Sequence, residues 1–471
     1  MDVLSSPMPD FRRRAVRERM AVRLDPSGML SDTVGADGLA RADLDALADR
    51  AAECVRAVAA RRAGGGMPVF DLVQQPDALA RITALARDVR DEVDTMVVLG
   101  VGGSALGSRT LLSALGEDPV RVRVADNVDP WSFGALLDQL DLARTAFNVV
   151  SKSGETASTM AQFLIVRDQL LRALGAIDYK SRVIITTDAE QGSLRQIVND
   201  EGFRDLAIPA GVTGRFSALS AAGLFPAAVG GVRVEDVLAG AAWMDQRTRG
   251  ENLWENPALL LAALLYLAET RAHRSTIVLM PYSDRLRDFA AWFAQLWAES
   301  LGQVADGQPR ARGSTPQAAV GATDQHSQLQ LWLDGPADKV VLFVRVEDHG
   351  REIEIPSAYG DLEGVGYLRG KGLGALLNME QRAAELALQQ HGRLALSLSV
   401  PQLNAFTLGQ LVFLFEAATV YAAGLHRVDR WDQPATEEGR RLTFGLAGRK
   451  AWEDRAEVEE WLAGKSNRSL V

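Results

Sequence analysis

Two stretches of the chain carry residue types suited to holding a phosphorylated molecule. Gly100-Val101-Gly102-Gly103-Ser104-Ala105-Leu106-Gly107 follows an apolar run and opens a helical pattern. Orphan backbone N–H groups and the helix dipole converge there on the place an anion would take. Ser151-Lys152-Ser153-Gly154-Glu155-Thr156 has the same setting, with hydroxyls and a cation added. The first stretch taken alone has other readings. Gly100, Gly102 and Ala105 also satisfy a dinucleotide fingerprint, with Asp126 ending the next strand where a ribose-binding acid belongs. Glycines that only make a tight strand-to-helix turn would be spelled the same way. The second stretch favours a compact phosphate, because a dinucleotide does not call for a hydroxyl cluster. The spacer and Gly-Lys-Ser/Thr of a nucleotide-hydrolysing loop are absent.

Three further side chains have chemistry to offer. Glu299 falls on the same helical stripe as Trp292 and Gln295, beside an apolar face, so its carboxylate is partly desolvated and suits a general base. Arg215 is a permanent cation that could face developing negative charge. His326 can exchange a proton near neutral pH. Each has an ordinary alternative: a surface glutamate on a helix, an ion-paired arginine, a structural histidine.

The elements that must hold these residues have a pattern of their own: short β-branched runs alternate with longer helical stretches from about residue 94. That alternation predicts a parallel sheet covered by crossover helices. Its strands are expected at 95–100, 120–125, 146–151, 182–187 and 205–208, each nearly all apolar because both sheet faces are covered. A second unit of the same kind starts near Asn256-Pro257, with strands at 275–280, 340–346 and 394–400. Leu286, Phe289, Ala290, Phe293, Leu296 and Trp297 recur at helical spacing, and Ser283 or Asp284 can cap that helix. Residues 1–70 read as helical with a break at Gly64-Gly65-Gly66, and those after 404 read as helical to the end.

Composition narrows the function classes. The chain has 471 residues, too many for one ordinary core, and 47% of them are hydrophobic against 24% charged, the balance of a globular protein. A formal charge of -10 gives no electrostatic reason to bind nucleic acid. The run Arg12, Arg13, Arg14, Arg17 and Arg19 is interrupted by Glu18 and lacks an apolar core after it, so a solvated segment is expected rather than a secretion signal. Cys54 is the single cysteine and reads as a small buried hydrophobe. The five histidines show no metal-ligand spacing, and no metal or redox cofactor is expected. No apolar run of membrane-spanning length is expected either, since the 259–267 stretch soon meets Glu269 and Arg271. A cytoplasmic protein follows.

With these residues in view, a resemblance is visible. The two loops are similar to the sugar-phosphate loops of the phosphoglucose isomerase family. Gly214-Arg215-Phe216-Ser217 with Ser220-Ala221-Ala222-Gly223-Leu224 resembles that family's Gly-Arg-aromatic-Ser segment. Gln295-Leu296-Trp297-Ala298-Glu299-Ser300-Leu301-Gly302 resembles its Glu-Ser-x-Gly motif, and Thr323-Asp324-Gln325-His326-Ser327 and Asp432-Gln433-Pro434 complete the set. Six motifs in order, across about residues 90–450, look most like the bacterial branch. The resemblance implies reversible conversion of glucose 6-phosphate to fructose 6-phosphate through ring opening and an enediolate. Glu299 would move the proton between C2 and C1, Arg215 would face the enediolate, and His326 would open the ring. The phosphate would rest on Gly103, Ser104, Ser151, Lys152, Ser153 and Thr156, with Gln295 and Gln433 on the sugar or holding the site closed. The family's ring-opening histidine comes from the neighbouring subunit, which implies a homodimer.

Two positions depart from the family pattern. Arg440 stands where the family carries a lysine, seven residues after the Gln of Asp-Gln-Pro, and Gln303 replaces a lysine that often follows Glu-Ser-x-Gly. Arginine keeps the charge but cannot trade protons, so Arg440 is assigned an electrostatic role. The architecture implied is two doubly wound α/β sugar-isomerase domains, 70–230 and 240–425, between a helical arm over 1–69 and another over 426–471. Two other functions fit parts of the pattern: a phosphosugar sensor that binds without turnover, and a nicotinamide-dependent dehydrogenase built on the Gly100 loop and Asp126.

Overall fold

The computed structural model describes residues 10–116, 121–302, 313–428, 434–449 and 455–464. Its strands, in chain order, are β1 (Arg23–Asp25), β2 (Thr95–Leu99), β3 (Arg121–Ala125), β4 (Thr145–Val150), β5 (Val183–Asp188), β6 (Arg204–Ile208), β7 (Thr276–Pro281), β8 (Thr315–Ala318), β9 (Lys339–Asp348) and β10 (Leu394–Gln402). β2 to β6 form one five-stranded sheet, ordered β3-β2-β4-β5-β6, and every pairing in it is parallel. The apolar runs explain this: β4 is buried at all six positions, as a strand covered on both faces must be. Val97, Leu99, Phe147, Val149, Phe163, Val166 and Ile185 belong to the core against one face.

The strand order locates the binding edge. From β2 the chain passes through helix Gly103–Leu115 to β3 on one side. It then returns to β4 on the other side of β2 and leaves through helix Ala157–Asp178. Where neighbouring strands send their connections in opposite directions, a crevice opens at their carboxyl ends. Leu99 of β2 lies level with Val149 of β4, so the 100–107 and 151–156 loops flank that crevice.

The second sheet, ordered β1-β10-β9-β7-β8, corrects the sequence expectation in two places. Three of its strands fall where apolar runs predict them. β8, Thr315-Pro316-Gln317-Ala318, has no apolar alternation and holds a proline, which an edge position tolerates. β1 is three residues in a segment expected to be helical, and it pairs antiparallel with β10 through Arg23 to Ser399. The expected cap is also absent, since neither Ser283 nor Asp284 caps by side chain. Asp284 instead pairs with Arg287, the first residue of helix Arg287–Leu301, at 2.8 Å.

Residues Met1–Val428 make one compact unit and Asp429–Val471 another. Both sheets lie in the first because helix Ala405–His426 packs against helices Val234–Arg247, Pro257–Thr270 and Arg287–Leu301. This helix corrects a further expectation, for its 22 residues are long and apolar enough to cross a membrane. Its 18-residue apolar window is 94% buried inside the fold, as a core helix is. Cys54 is buried as expected. The second unit contains helices Pro434–Leu446 and Arg455–Gly464.

Candidate active site

The first loop is built for close backbone approach. Gly102 has φ +57°, which a side chain disfavours, and a Cβ placed on it would lie 3.2 Å from Gln295 Nε2. A Cβ on Gly103 would lie 2.2 Å from the carbonyl carbon of Gly214, so this position must be glycine for the 214–217 turn to lie against the helix N-terminus. Ser217 fastens the contact, its hydroxyl donating to Gly103 O at 3.0 Å and to Gly214 O at 2.7 Å. Ser104, in the first turn, is half-buried.

The second loop is held by its own hydroxyls. Ser151 is buried and accepts from Gly154 N at 3.1 Å while sharing a hydrogen bond with Thr156 at 3.3 Å. That places Ser151 as an organiser of the loop, with Ser153 exposed and Thr156 half-buried in front of it. Lys152 Nζ donates to Val212 O at 2.8 Å, and burial pulls its ammonium below the ordinary range against the opposing pull of Asp188. Lys152 stands four residues ahead of Thr156, the N-cap of helix Ala157–Asp178.

Helix Arg287–Leu301 starts after the carboxyl end of β7 and brings its last turns to this edge. Gln295 Nε2 donates to Glu299 Oε1 at 2.9 Å, fixing the carboxylate from one turn earlier on the helix. The other carboxylate oxygen lies 4.0 Å from the Arg215 guanidinium, with the Arg215 side chain fully buried and Glu299 a quarter exposed. Arg215 Nε donates to Ser300 Oγ at 2.8 Å. Burial draws this guanidinium below its usual range and Glu299 resists that, though an arginine stays charged. A buried cation beside a half-open, oriented carboxylate can take a proton and stabilise the anion left behind.

The structure therefore brings Gly103, Arg215, Gln295 and Glu299 together. Ser300 belongs to a motif that gave it no role, and only its bond to Arg215 across 85 residues of chain reveals one. His326 is exposed on helix Thr323–Asp334. Arg440 lies in the second unit, ion-paired with Glu437 and 5.8 Å from the Phe444 ring. Gln433 and Gln303 fall outside the described residues. Asp126, the candidate ribose-binding acid, is ion-paired with Arg109. Among the described residues, no group of three or more His, Cys, Asp or Glu is placed to hold a metal ion.

The sequence model of the family described as phosphoglucose isomerase matches residues 84–459. A glucose-6-phosphate isomerase of Rubrobacter xylanophilus is 44% identical over 378 residues, 78% of this chain and 86% of the relative. One of Carboxydothermus hydrogenoformans is 36% identical over 450 residues, 93% of this chain and 97% of its own. Among solved structures, a hypothetical protein of Thermus thermophilus superposes with a TM-score of 0.84 at 34% identity, covering 91% of this chain and all of that one. A glucose-6-phosphate isomerase of Chlamydia trachomatis shares the fold, with a TM-score of 0.73 at 22% identity over 82% of this chain and 76% of its own. With a match spanning about four fifths of its length and relatives of this identity, the chain belongs to the phosphoglucose isomerase family.

Proposed function

We propose that the chain is a glucose-6-phosphate isomerase, interconverting D-glucose 6-phosphate and D-fructose 6-phosphate. The observation that carries this is the Glu299 carboxylate, held by Gln295 on one oxygen and facing buried Arg215 with the other. The phosphate rests between the helix N-termini at Gly103-Ser104 and Thr156, with Lys152 and Ser153 beside it and Ser151 shaping the loop from behind. His326 opens the ring: the C1–O5 bond breaks, O5 gains a proton and O1 loses one. Glu299 then takes the C2 proton, and the negative charge spreads to the oxygens facing Arg215. Return of that proton to C1, with the hydroxyl proton passing from O2 to O1, leaves the ketose and regenerates the enzyme.

His326 is proposed to act from a neighbouring subunit of a homodimer, as the resemblance implies and its exposed position allows. The electrostatic role of Arg440 and a sugar contact by Gln433 rest on the resemblance alone. A cytoplasmic place in glycolysis and gluconeogenesis goes with this reading. The test is a coupled assay on the purified protein with glucose 6-phosphate alone. Formation of fructose 6-phosphate supports the proposal, and tight binding without turnover would instead identify a sensor. Asp126 engaged by Arg109 speaks against the nicotinamide reading, in which that carboxylate must receive a ribose.

A further inference from the structure

Helices Gly103–Leu115 and Arg287–Leu301 run antiparallel in one fixed register. Gly102 lies against Gln295, Thr110 Oγ1 donates to Asp288 O at 3.2 Å, and Arg285 Nε donates to Ala114 O at 2.7 Å. One end of this pair presents the phosphate loop and Glu299; the other end is polar and carries no substrate group. Arg109, midway along the first helix, reaches two carboxylates at once, Asp126 after β3 and, at 2.7 Å, Asp288 in the first turn of the partner helix. The Arg109 side chain is 37% exposed and Asp288 17%, so this pair is better shielded than a surface ion pair.

We propose that Arg109 is a positioning residue for the isomerase reaction: by tying Asp288 to Asp126 it fixes the helix register, and so the distance from bound phosphate to the Glu299 carboxylate. The inference rests on the roles given above to the 100–107 loop and to Glu299. Its physical basis is that helices pack through a surface of rows that can slip. A slip of one residue moves a side chain about 1.5 Å along the axis, and an error of about 1 Å at the reacting carbon can cost roughly a hundredfold in rate. Arg109 adds a charged side-chain tie to the Thr110 and Arg285 bonds and joins the helix pair to the sheet edge through Asp126. Its guanidinium gives one N–H to each carboxylate, and such charge-assisted bonds are directional.

The test compares Arg109→Gln, Asp288→Asn, the double variant and Arg109→Lys with the parent, as full-length proteins, by kcat and KM for glucose 6-phosphate, with circular dichroism to establish folding. Each single loss lowers kcat roughly 10- to 100-fold while KM stays within about threefold, because phosphate is still held and only the base is misplaced. The double variant is no worse than the poorer single, and Arg109→Lys recovers part of the loss. Parental kcat in folded Arg109→Gln overturns the proposal, as does a raised KM at unchanged kcat. Should Arg109→Gln not fold, Asp288→Asn, equal in shape, decides by the same criterion. Glu299→Gln is measured alongside: its normal turnover would sink the assignment of the base, whereas an inactive Glu299→Gln with parental kcat in Arg109→Gln sinks the register pin alone.

Discussion

The proton transfer assigned to Glu299 needs an acceptor of about the right basicity held at a fixed angle, and only one atom distinguishes that acceptor from glutamine. Glu299→Gln keeps the shape and cannot accept the proton. Turnover should fall by roughly three orders of magnitude or more while glucose 6-phosphate still binds, measured by calorimetry beside the coupled assay. Turnover near the parental rate would remove Glu299 as the base. At this scale the candidate site was legible wherever residues lie within a few positions of each other. Gln295 and Glu299 are one helical turn apart, and Gly102 to Ser104 form one turn of chain. What the sequence could not display is contact across distance. The bond from Arg215 to Ser300 and the pairing of Arg109 with Asp288 join segments 85 and 179 residues apart, and no local pattern encodes them. Ser151 differs again: its hydroxyl suggests a ligand contact, but burial turns it inward to hold the loop.

At the scale of elements, the strands read correctly where both faces are covered, because continuous apolar residues leave few alternatives. Edge strands such as β1 and β8 are specified by the neighbour they join, so Arg23-Leu24-Asp25 and Thr315-Pro316-Gln317-Ala318 have no internal pattern to betray them. Two element contacts yield predictions. A methyl group on Gly103 would collide with the Gly214 carbonyl carbon at 2.2 Å, and backbone cannot swing away as a side chain can. Gly103→Ala should therefore cost about 1–3 kcal/mol in chemical denaturation and depress kcat as Arg215 is pushed off its place. An active variant of parental stability would mean that the 214–217 turn is free to shift. The second concerns helix Ala405–His426, where Glu416 is fully buried and neither carboxylate oxygen has a hydrogen-bond partner among the described residues. Burial pushes its carboxyl well above the ordinary range. The folded protein holds it protonated, whereas the unfolded chain ionises it above about pH 4.3. Stability is thus untouched below that pH and declines as pH rises toward the folded-state value, by up to about 1.4 kcal/mol per pH unit. Glu416→Gln, which does not titrate, should gain in melting temperature over the parent progressively from pH 5 to 8. Parallel melting curves across that range would show that Glu416 finds a partner when ionised.

For the whole molecule, the decisive question is whether one chain holds a complete site. Residues Met1–Val428 gather the phosphate loops, Arg215 and Glu299, while His326 stands exposed on helix Thr323–Asp334. If His326 serves a neighbouring copy, each site in a symmetric dimer takes Glu299 from one subunit and His326 from the other. Two damaged proteins then repair each other. Glu299→Gln and His326→Ala should each turn over poorly as homodimers, but a mixed dimer has one site with both groups intact and one with neither. Random reassortment by co-expression or refolding makes half of the dimers mixed, so about a quarter of all sites, and roughly a quarter of parental kcat per subunit, should return. The measurement must follow reassortment rather than simple mixing, because an exchange-resistant dimer would hide the effect. A tag on each variant lets the mixed species be isolated and assayed. Should that species show no more activity than the average of the two parents from which it was made, Glu299 and His326 work within one chain. The exposed helix would then have to reach its own chain's site, and association between subunits would contribute stability rather than chemistry.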